Sequence, residues 1–409
     1  MNRTHFVVVS ITLTAARLAF AQPIPDYALG FVTIGDPGNP AWSGEDAIFG
    51  ITDNAGHGDV AYEYRIMRTE VTAEQWFEFV QAYAPYVDPQ FRSGSSFTGP
   101  LVTFIGPGPD GVPRYRLNQG GEDLPTTMSW RFAARFCNWL HNGKVSKRWA
   151  FETGVYDTST FGDIVIDGIT FGFTDQPAHD PGARFWIPTL DEWMKAGYWD
   201  PDKEGPGAGG WWQYPNGSNE PLISGPPGEG QTSTRVPSVP LQPAGSYPEV
   251  NKPWGLLDVS GQRSEWLEDI PNGRPTARLV KESFTFSPHH ELIDLIGFIG
   301  RNSPNVTFHG VRIASRVEDL SLTKTDLNRD GVVNVWDVTY ILNAWGPCPG
   351  GDTVGCSNDI TGDGRVDGAD LREVLVSWSL QNEPREEAAT CHGRPSCTNA
   401  LFHGRKIRT

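Results

Sequence analysis

Two twelve-residue segments near the C-terminus repeat one pattern of oxygen-bearing side chains. They read DLNRDGVVNVWD (residues 326–337) and DITGDGRVDGAD (residues 359–370). Each places a carboxylate, amide or hydroxyl at positions 1, 3, 5, 9 and 12, with glycine at position 6. A loop with this spacing can wrap a hard cation that needs six to eight oxygens, while the glycine permits the sharp turn. The repeat therefore predicts two calcium ions, one in each loop.

The predicted calcium ligands form two equivalent sets. The first set is Asp326, Asn328, Asp330, Asn334 and Asp337, with the backbone carbonyl of Val332. The second set is Asp359, Thr361, Asp363, Asp367 and Asp370, with the backbone carbonyl of Arg365. Apolar residues recur at helical spacing after each loop, so each loop is expected to lead into a helix.

Charge and composition exclude some classes of function. The chain has 409 residues and a formal net charge of -16, which argues against nucleic acid as a partner because phosphate binding needs a basic face. A hydrophobic content of 38% supports a folded core, whereas 46 glycines and 33 prolines indicate a loop-rich fold.

The first 21 residues have the features of an export signal. Arg3 precedes a mostly apolar run from Phe6 to Ala16, and residues 19–21 offer small side chains for cleavage. The run is too short to span a bilayer, and no other segment approaches 18 apolar residues. We therefore expect a protein that is secreted or held at the cell surface, without a membrane span.

The five cysteines are compatible with an oxidising compartment. Cys348 and Cys356 flank a loop between the two repeats, and Cys391 and Cys397 lie close together in the tail, so both pairs could close as local disulfides. Cys137 falls inside a helical pattern, where a buried, inert thiol is expected.

The remaining chain reads as two domains. Residues 27–317 form the large domain, 318–325 a linker, 326–381 the calcium module and 382–409 a basic tail. Capping residues and apolar spacing predict three helices in the large domain, which begin after Thr72, near Trp130 and after Thr189. Short strands are expected at residues 164–173 and 310–314.

Five segments of the large domain carry a family resemblance. They read YRIMRTEVT (64–72), LPTTMSWRFAARFCNW (124–139), FWIPTLDEW (185–193), WGLLDVSGQRSEW (254–266) and HGVRIA (309–314). In this order they resemble the formylglycine-generating enzyme, or sulfatase-modifying factor, family. The resemblance implies an α+β fold of the C-type-lectin-like kind, with few short helices and much loop.

The same resemblance implies an activity whose key residues are missing. The family's enzymes oxidise a sulfatase cysteine to formylglycine, using two cysteines that bind copper, and soft Cu(I) prefers such thiolates. The corresponding stretch here is RLVKESF (278–284), and no cysteine occurs between Cys137 and Cys348. We expect no copper, and the sequence favours a domain without catalytic activity.

A structural calcium site of the family is only partly retained. The family's Gly-Asn-Val-Trp-Glu-Trp segment is GQRSEW (261–266) here, so Gln262 replaces the asparagine and Glu265 is kept. A third ion held by Gln262 and Glu265 is one interpretation. The other is that Glu265 pairs with a neighbour such as Arg263.

The C-terminal repeat resembles a type I dockerin domain, which implies a small all-α module. Aspartate at position 12 fits a dockerin better than a calcium sensor. The resemblance places partner recognition at positions 10 and 11, which are Val335, Trp336, Gly368 and Ala369. The usual Ser/Thr pair is absent from both loops. A cohesin-like or other extracellular protein is therefore the expected partner.

Three functions remain open at this level. The favoured one is a secreted, non-catalytic binding or assembly protein that docks to a partner or cell-surface scaffold. The alternatives are an oxidase that produces formylglycine and an accessory protein of polysaccharide breakdown. A glycan is a further candidate ligand. Most tryptophans fall at helical core spacing, so packing is their preferred interpretation, and Trp211, Trp212 and Tyr214 are the place to look for an exposed aromatic platform. Residues 289–291 (HHE) are interpreted as a solvated loop.

Overall fold

The computed structural model describes residues 24–45, 47, 54–236, 238–248, 253–271, 275–281, 303–317, 325–327, 333–348, 356 and 358–382. The chain divides into two compact units, one spanning Ile24–Val317 and one that includes the chain from Glu318 onward. Several predictions fall outside the described residues: the export signal, the HHE segment, the Cys391–Cys397 pair, the tail beyond 382, and three ligands of the first loop (Asn328, Asp330 and Val332). No helix in the described part of the chain is long and apolar enough to cross a membrane.

The large unit is built around one antiparallel sheet of four short strands. The strands are β1 (Phe31–Ile34), β2 (Tyr64–Met67), β7 (Phe185–Trp186) and β12 (Ala314–Arg316). Their order is β1-β2-β12-β7, so the second strand of the domain pairs with its last strand at the centre of the sheet. Ile66 pairs with both Val32 and Ala314, which fixes the register. The predicted strand at 310–314 begins only at Ala314, because Gly310 instead bridges to Glu265.

Four two-stranded ladders accompany this sheet in the part of the large unit that the structure describes. They are β3 (Val102–Pro107) with β4 (Pro113–Leu117), β5 (Asp163–Ile166) with β6 (Ile169–Phe173), β8 (Trp199–Asp200) with β9 (Gly210–Trp211), and β10 (Glu265–Trp266) with β11 (Val280–Lys281). The predicted run at 164–173 is the β5–β6 hairpin. It turns at Asp167 and Gly168, whose positive φ angles of 50° and 77° suit the tight two-residue turn that Asp-Gly favours.

The α-helices among the described residues of the large unit are α1 (Ala73–Tyr83), α2 (Ser95–Thr98), α3 (Trp130–His141), α4 (Arg148–Glu152) and α5 (Leu190–Tyr198). All three predicted helices are confirmed, together with the capping boxes at Thr72–Gln75 and Thr189–Glu192. Helix α3 ends where Gly143 takes a positive φ of 73°, the left-handed conformation that favours glycine after a helix. The structure is thus mixed helix and strand with few short helices, which confirms the broad α+β assignment.

Aromatic side chains of α1 and α3 form the centre of the core. Trp76, Phe79 and Phe136 pack with ring centroids 4.7–5.6 Å apart, and Trp76 donates a hydrogen bond to the Phe97 carbonyl. Cys137 is a free, fully buried thiol in the same helix, as predicted. Burial raises the pKa of this thiol well above its usual value, so it stays protonated and inert.

The described residues of the C-terminal unit include two helices that follow the predicted calcium loops and one short ladder. Helix α6 (Val335–Asn343) follows the first loop and helix α7 (Gly368–Asn382) follows the second. Strand β13 (Gly346–Pro347) pairs with β14 (Arg365–Val366), so the all-α prediction misses a β ladder. The ladder ties the end of the first half of the module to the second loop. Val333, Ile341, Val366 and Val374 form its small buried core.

Candidate functional site

The second predicted calcium loop is organised by its last carboxylate. Asp370 is fully buried, its Oδ1 accepts the N–H of Thr361 at 3.0 Å, and its Oδ2 accepts the N–H of Asp367 at 2.8 Å. Burial by itself would raise the pKa of Asp370, but these backbone donors hold it below its usual value. The group is therefore ionised and fixed in place at neutral pH.

Oxygens from three predicted ligand positions converge in this loop. The hydroxyl of Thr361 lies 3.1 Å from Asp370 Oδ1 and 3.4 Å from Asp359 Oδ1. Asp359 also accepts the backbone N–H groups of Gly362, Asp363 and Gly364, which curl the loop around its carboxylate. A set made only of hard oxygen donors, gathered within one shell, fits calcium.

The first loop repeats the same arrangement at its described end. Asp337 is fully buried, its Oδ1 accepts the Leu327 N–H at 2.7 Å, and its Oδ2 accepts the Asn334 N–H at 2.9 Å. Asn334 also caps helix α6 by accepting the Trp336 N–H. Positions 9 and 12 thus serve as predicted ligands and as the capping box of the following helix.

A disulfide braces the second loop. Cys348 and Cys356 are bonded, which confirms one of the two predicted pairs. The Cys348 N–H donates to the Gly364 carbonyl at 2.9 Å, and the Cys356 carbonyl accepts the Asp359 N–H at 3.0 Å. The S–S bond therefore joins the two residues that hold loop positions 6 and 1. Cysteine spacing predicted the bond, but only the fold shows what it supports.

The four residues predicted to recognise a partner are exposed, but their side chains differ in size. Val335 is 54% exposed and Trp336 is 64% exposed at the start of α6. Gly368 and Ala369 are also exposed at the start of α7. One half of the repeat therefore presents a large apolar surface, and the other presents almost no side chain.

The described part of the stretch that corresponds to the family's copper site, residues 278–281, is buried in the large unit. Arg278 is fully buried, stacks 3.6 Å above the ring of Trp130, and donates to the carbonyls of Pro177 and Glu268. Burial lowers its pKa to about 10, which still leaves it charged at neutral pH. Residues 282–284 lie outside the described residues. Within the described ones, Cys137 is the free thiol, and it is enclosed in α3.

Glu265 has a partner that the sequence did not identify. Its two carboxylate oxygens each accept a 2.7 Å hydrogen bond from Arg312, and Trp193 donates to one of them. Arg312, rather than the neighbouring Arg263, is the salt-bridge partner. Gln262 exchanges hydrogen bonds with Gln242 instead. An ion at Gln262 and Glu265 stays a prediction, but these contacts do not favour it.

The structure favours packing over an exposed platform for the aromatic residues Trp211, Trp212 and Tyr214. Trp211 is 8% exposed and Tyr214 is 2% exposed, so neither offers a ring face to a ligand. Trp212 is half-buried, donates to Asp200, and is covered by the ammonium group of Lys203 at 4.7 Å. Trp211, Trp212 and Tyr214 are close together in sequence, but β9 and the following turn direct their rings into the protein.

A cleft of about 680 Å³ lies elsewhere in the large unit. Its walls come from the end of α1, the outer face of α3, helix α4 and the turn at Thr158–Thr160. The aromatic side chains in these walls are Tyr83, Tyr86, Phe91, Phe132 and Phe161, and the arginines are Arg131, Arg135 and Arg148. Sequence reasoning missed this cleft because its residues come from segments as far apart as residues 83 and 305.

Comparison with known proteins gives two family matches. The family described as sulfatase-modifying factor enzyme 1-like domain matches residues 36–286, and the family described as dockerin type I domain matches residues 324–375. Dockerin type I domains bind calcium and cohesin partners, which supports calcium and an extracellular protein partner for this module.

Two solved structures are similar over most of their own length, whereas none of the curated proteins matches. The structure titled "Crystal Structure of CarF" is 19% identical in sequence. The match covers 71% of this chain and 98% of that chain, with a TM-score of 0.39. The structure titled "Treponema denticola variable protein 1" is 17% identical in sequence. The match covers 70% of this chain and 95% of that chain, with a TM-score of 0.37. On the family matches, this chain belongs to the sulfatase-modifying factor enzyme 1-like domain family and carries a type I dockerin domain at its C-terminal end.

Proposed function

We propose that this chain is a secreted, non-catalytic assembly protein. Its dockerin module docks to a cohesin-like partner or cell-surface scaffold, and its large domain, with a C-type-lectin-like fold, presents a binding surface. The observation that carries the docking role is the matched geometry of Asp337 and Asp370, each buried and each holding its own loop through two backbone N–H groups.

The module is proposed to fold around two ions. Calcium would supply the positive charge that a ring of carboxylates needs, and the ligands are the two sets named from the sequence. The buried carboxylates of Asp337 and Asp370 orient the loops, and Asn334 starts helix α6. Ion binding and folding are therefore coupled, because the ligand shell exists only in the folded chain.

Docking is proposed to use the first half of the repeat. Val335 and Trp336 present a large exposed apolar surface, and exposed aromatic side chains commonly anchor protein interfaces. Gly368 and Ala369 would contribute a flat surface at most. The absence of the Ser/Thr pair points to a partner with an apolar recess in place of polar acceptors.

A calcium-dependent pull-down from the secreted proteins of the parent organism tests the docking role. We expect partner capture in calcium, loss of capture in EDTA, and loss of capture by Trp336→Ala. Trp149→Ala is the matched control, because Trp149 is 54% exposed in the large unit. Capture that persists in EDTA, or that survives Trp336→Ala, would contradict the proposed docking surface.

The non-catalytic role of the large domain rests on the missing thiol pair. A copper site of this family needs two nearby thiolates, and the thiol of Cys137 is buried and protonated. Incubation of the full chain with copper and a cysteine-containing sulfatase peptide should give no formylglycine by mass spectrometry. Detection of the aldehyde would instead support the alternative, an oxidase.

A role in polysaccharide breakdown is the second candidate. The arginine-lined cleft with aromatic walls is the observation that favours it, because carbohydrate sites combine ring faces with polar groups. A glycan array probed with the full chain tests this role, and a blank array would leave the assembly function without a glycan ligand.

A further inference from the structure

The β5–β6 hairpin of the large unit exposes several large apolar side chains at one place. Ile164, Val165, Ile166, Ile169 and Phe171 are each between 37% and 61% exposed. Together they leave roughly 500 Å² of apolar surface in water, which is at the upper end of what a monomeric protein usually exposes in one patch. Single exposed apolar residues are ordinary, but a contiguous patch of this size marks an interaction surface.

The register of the ladder makes these side chains neighbours. Ile166 lies directly opposite Ile169, and Ile164, two residues before Ile166 on β5, shares their face. Val165 points to the opposite face, because successive side chains alternate along a strand. Phe171 has no partner in the register and is the extra residue of a bulge on β6. Apolar side chains therefore stand on both faces of the hairpin.

The two edges of the hairpin differ. The edge formed by β6 is interrupted by the bulge, and it is covered at its base, where the Phe173 N–H donates to the Pro275 carbonyl at 2.7 Å. On β5, the backbone of residues 164–166 forms no hydrogen bond outside the ladder with β6 among the described residues. Proteins usually protect such an edge with a lysine, a proline or a bulge, and this run has none of them. The β5 edge is therefore open to another strand.

The charge of the hairpin argues against a lipid surface as its partner. Residues 163–173 contain no lysine or arginine, so the hairpin lacks the basic groups that anionic lipids attract. Asp167 is exposed at the turn, and its carboxylate would have to enter the bilayer first. Asp163, the other acid of the hairpin, is already paired with Arg131 at 2.9 Å. A surface that is apolar and nearly free of unpaired charge suits a second copy of itself.

The exposed apolar area matches what a dimer interface needs. A standard interface buries about 800 Å² on each partner, of which somewhat more than half is apolar. The roughly 500 Å² of the hairpin supplies that apolar share by itself. In a two-fold dimer the same surface meets itself, and antiparallel pairing of one β5 with its copy satisfies both open edges at once.

We propose that two copies of this chain form a two-fold dimer by antiparallel pairing of their β5 edges, with Ile164, Val165 and Ile166 of one copy packed against those of the other. A dimer carries two dockerin modules, so it would hold a scaffold with two cohesin-like sites more tightly than a monomer does. Only this consequence rests on the proposed docking function, whereas the dimer itself does not.

Sedimentation velocity of the full chain in calcium, over a range of micromolar concentrations, tests the dimer. We expect a concentration-dependent shift from the monomer mass to twice that mass. Val165→Lys should raise the dissociation constant at least about tenfold, because it brings like charges together at the paired edges. Ile105→Lys is the matched control and should leave the constant unchanged, since Ile105 on β3 and Val165 are both 56% exposed.

A second variant and a folding check keep the test decisive. Ile166→Lys should also weaken the dimer, and circular dichroism of both hairpin variants should match that of the unaltered chain, because the replaced side chains are exposed. A chain that is monomeric at every concentration would overturn the proposal. So would a dimer that survives both hairpin variants, or one that Ile105→Lys weakens equally.

Other occupants of the hairpin give different results. A monomer whose β5 amides exchange slowly with deuterium would indicate that another segment of the same chain covers the hairpin. A monomer that sediments with phosphatidylcholine vesicles would indicate a lipid surface. Either result overturns the dimer. None of these measurements needs a docking partner, so a failed dimer would leave the docking function untouched.

Discussion

The two units stabilise buried carboxylates in different ways. In the large unit, Glu265 is held by Arg312, and Glu268 accepts from His179 and Tyr156. In the module, Asp370 is held by backbone N–H groups, and no lysine or arginine pairs with it in the described residues. One unit thus carries its own counter-charges, whereas the other is built to receive a cation from solution. The difference predicts which unit depends on calcium.

Removal of calcium should produce the largest difference between the stabilities of the two units. In EDTA the full chain should lose the helical signal of the module, while the transition of the large unit stays at the same temperature, because only the module's loops need an added cation. Differential scanning calorimetry with and without calcium measures both transitions. Asp330→Ala should weaken calcium binding far more than Asn334→Ala, since position 9 often acts through water. A calcium-insensitive second transition would refute the contrast between the units.

Substitution of Arg312, the arginine that pairs with Glu265 in the large unit, is the converse test. Arg312→Met leaves Glu265 charged and buried, so the free energy of unfolding should fall by about 3–5 kcal/mol. Arg116→Gln, an exposed arginine without such a partner, should change it by less than about 0.5 kcal/mol. Urea unfolding followed by tryptophan fluorescence gives both values. A small loss for Arg312→Met would show that Glu265 is held by other groups.

Loss of the disulfide should affect the two calcium loops of the module differently. Because Cys348 and Cys356 hold loop positions 6 and 1, replacing both by serine should weaken calcium binding at the second loop about tenfold, part of the roughly 2–4 kcal/mol a disulfide contributes. The first loop should keep its affinity. Replacement of Cys391 and Cys397 by serine is the matched control. Calcium titration by calorimetry resolves the two sites, and equal weakening of both loops would contradict this role.

A rise in pH should lower the stability of the large unit and raise the calcium affinity of the module. Burial raises the pKa of Asp269 to about 7 and that of Asp258 to about 6. Both groups bind a proton more tightly in the folded chain than in the unfolded chain. Their stabilising contribution is therefore fully present below about pH 4 and is lost as pH rises through 6–7.

The expected size is measurable. From pH 5 to pH 8 these two groups should together cost the large unit roughly 4 kcal/mol, about two thirds of it from Asp269, and Asp269→Asn should flatten this dependence. The module should gain calcium affinity over a rise in pH from acid values, since its ligands must be ionised. Melting curves of both transitions against pH provide the measurement. A large unit that becomes more stable from pH 5 to pH 8 would reverse the assigned sign.

Local patterns predicted much of this molecule because they depend on neighbours within one or two turns. The capping boxes at Thr72 and Thr189 and the three helices are all local in this sense. The oxygen spacing of the second loop was also readable, and the structure brings Asp359, Thr361 and Asp370 within one shell. The all-α description failed where β13 pairs with β14, since that contact joins residues about twenty positions apart.

The sequence by itself determined the calcium-loop spacing, the helix starts, the family of the large domain and the absence of a thiol pair at the family's copper site. Only the tertiary structure decided that Arg312 neutralises Glu265, that Trp211 and Tyr214 are buried, and that distant segments enclose an arginine-lined cleft. The physical reason is range. Turn and capping energies act between residues close along the chain, whereas burial and charge pairing depend on which distant segments pack together.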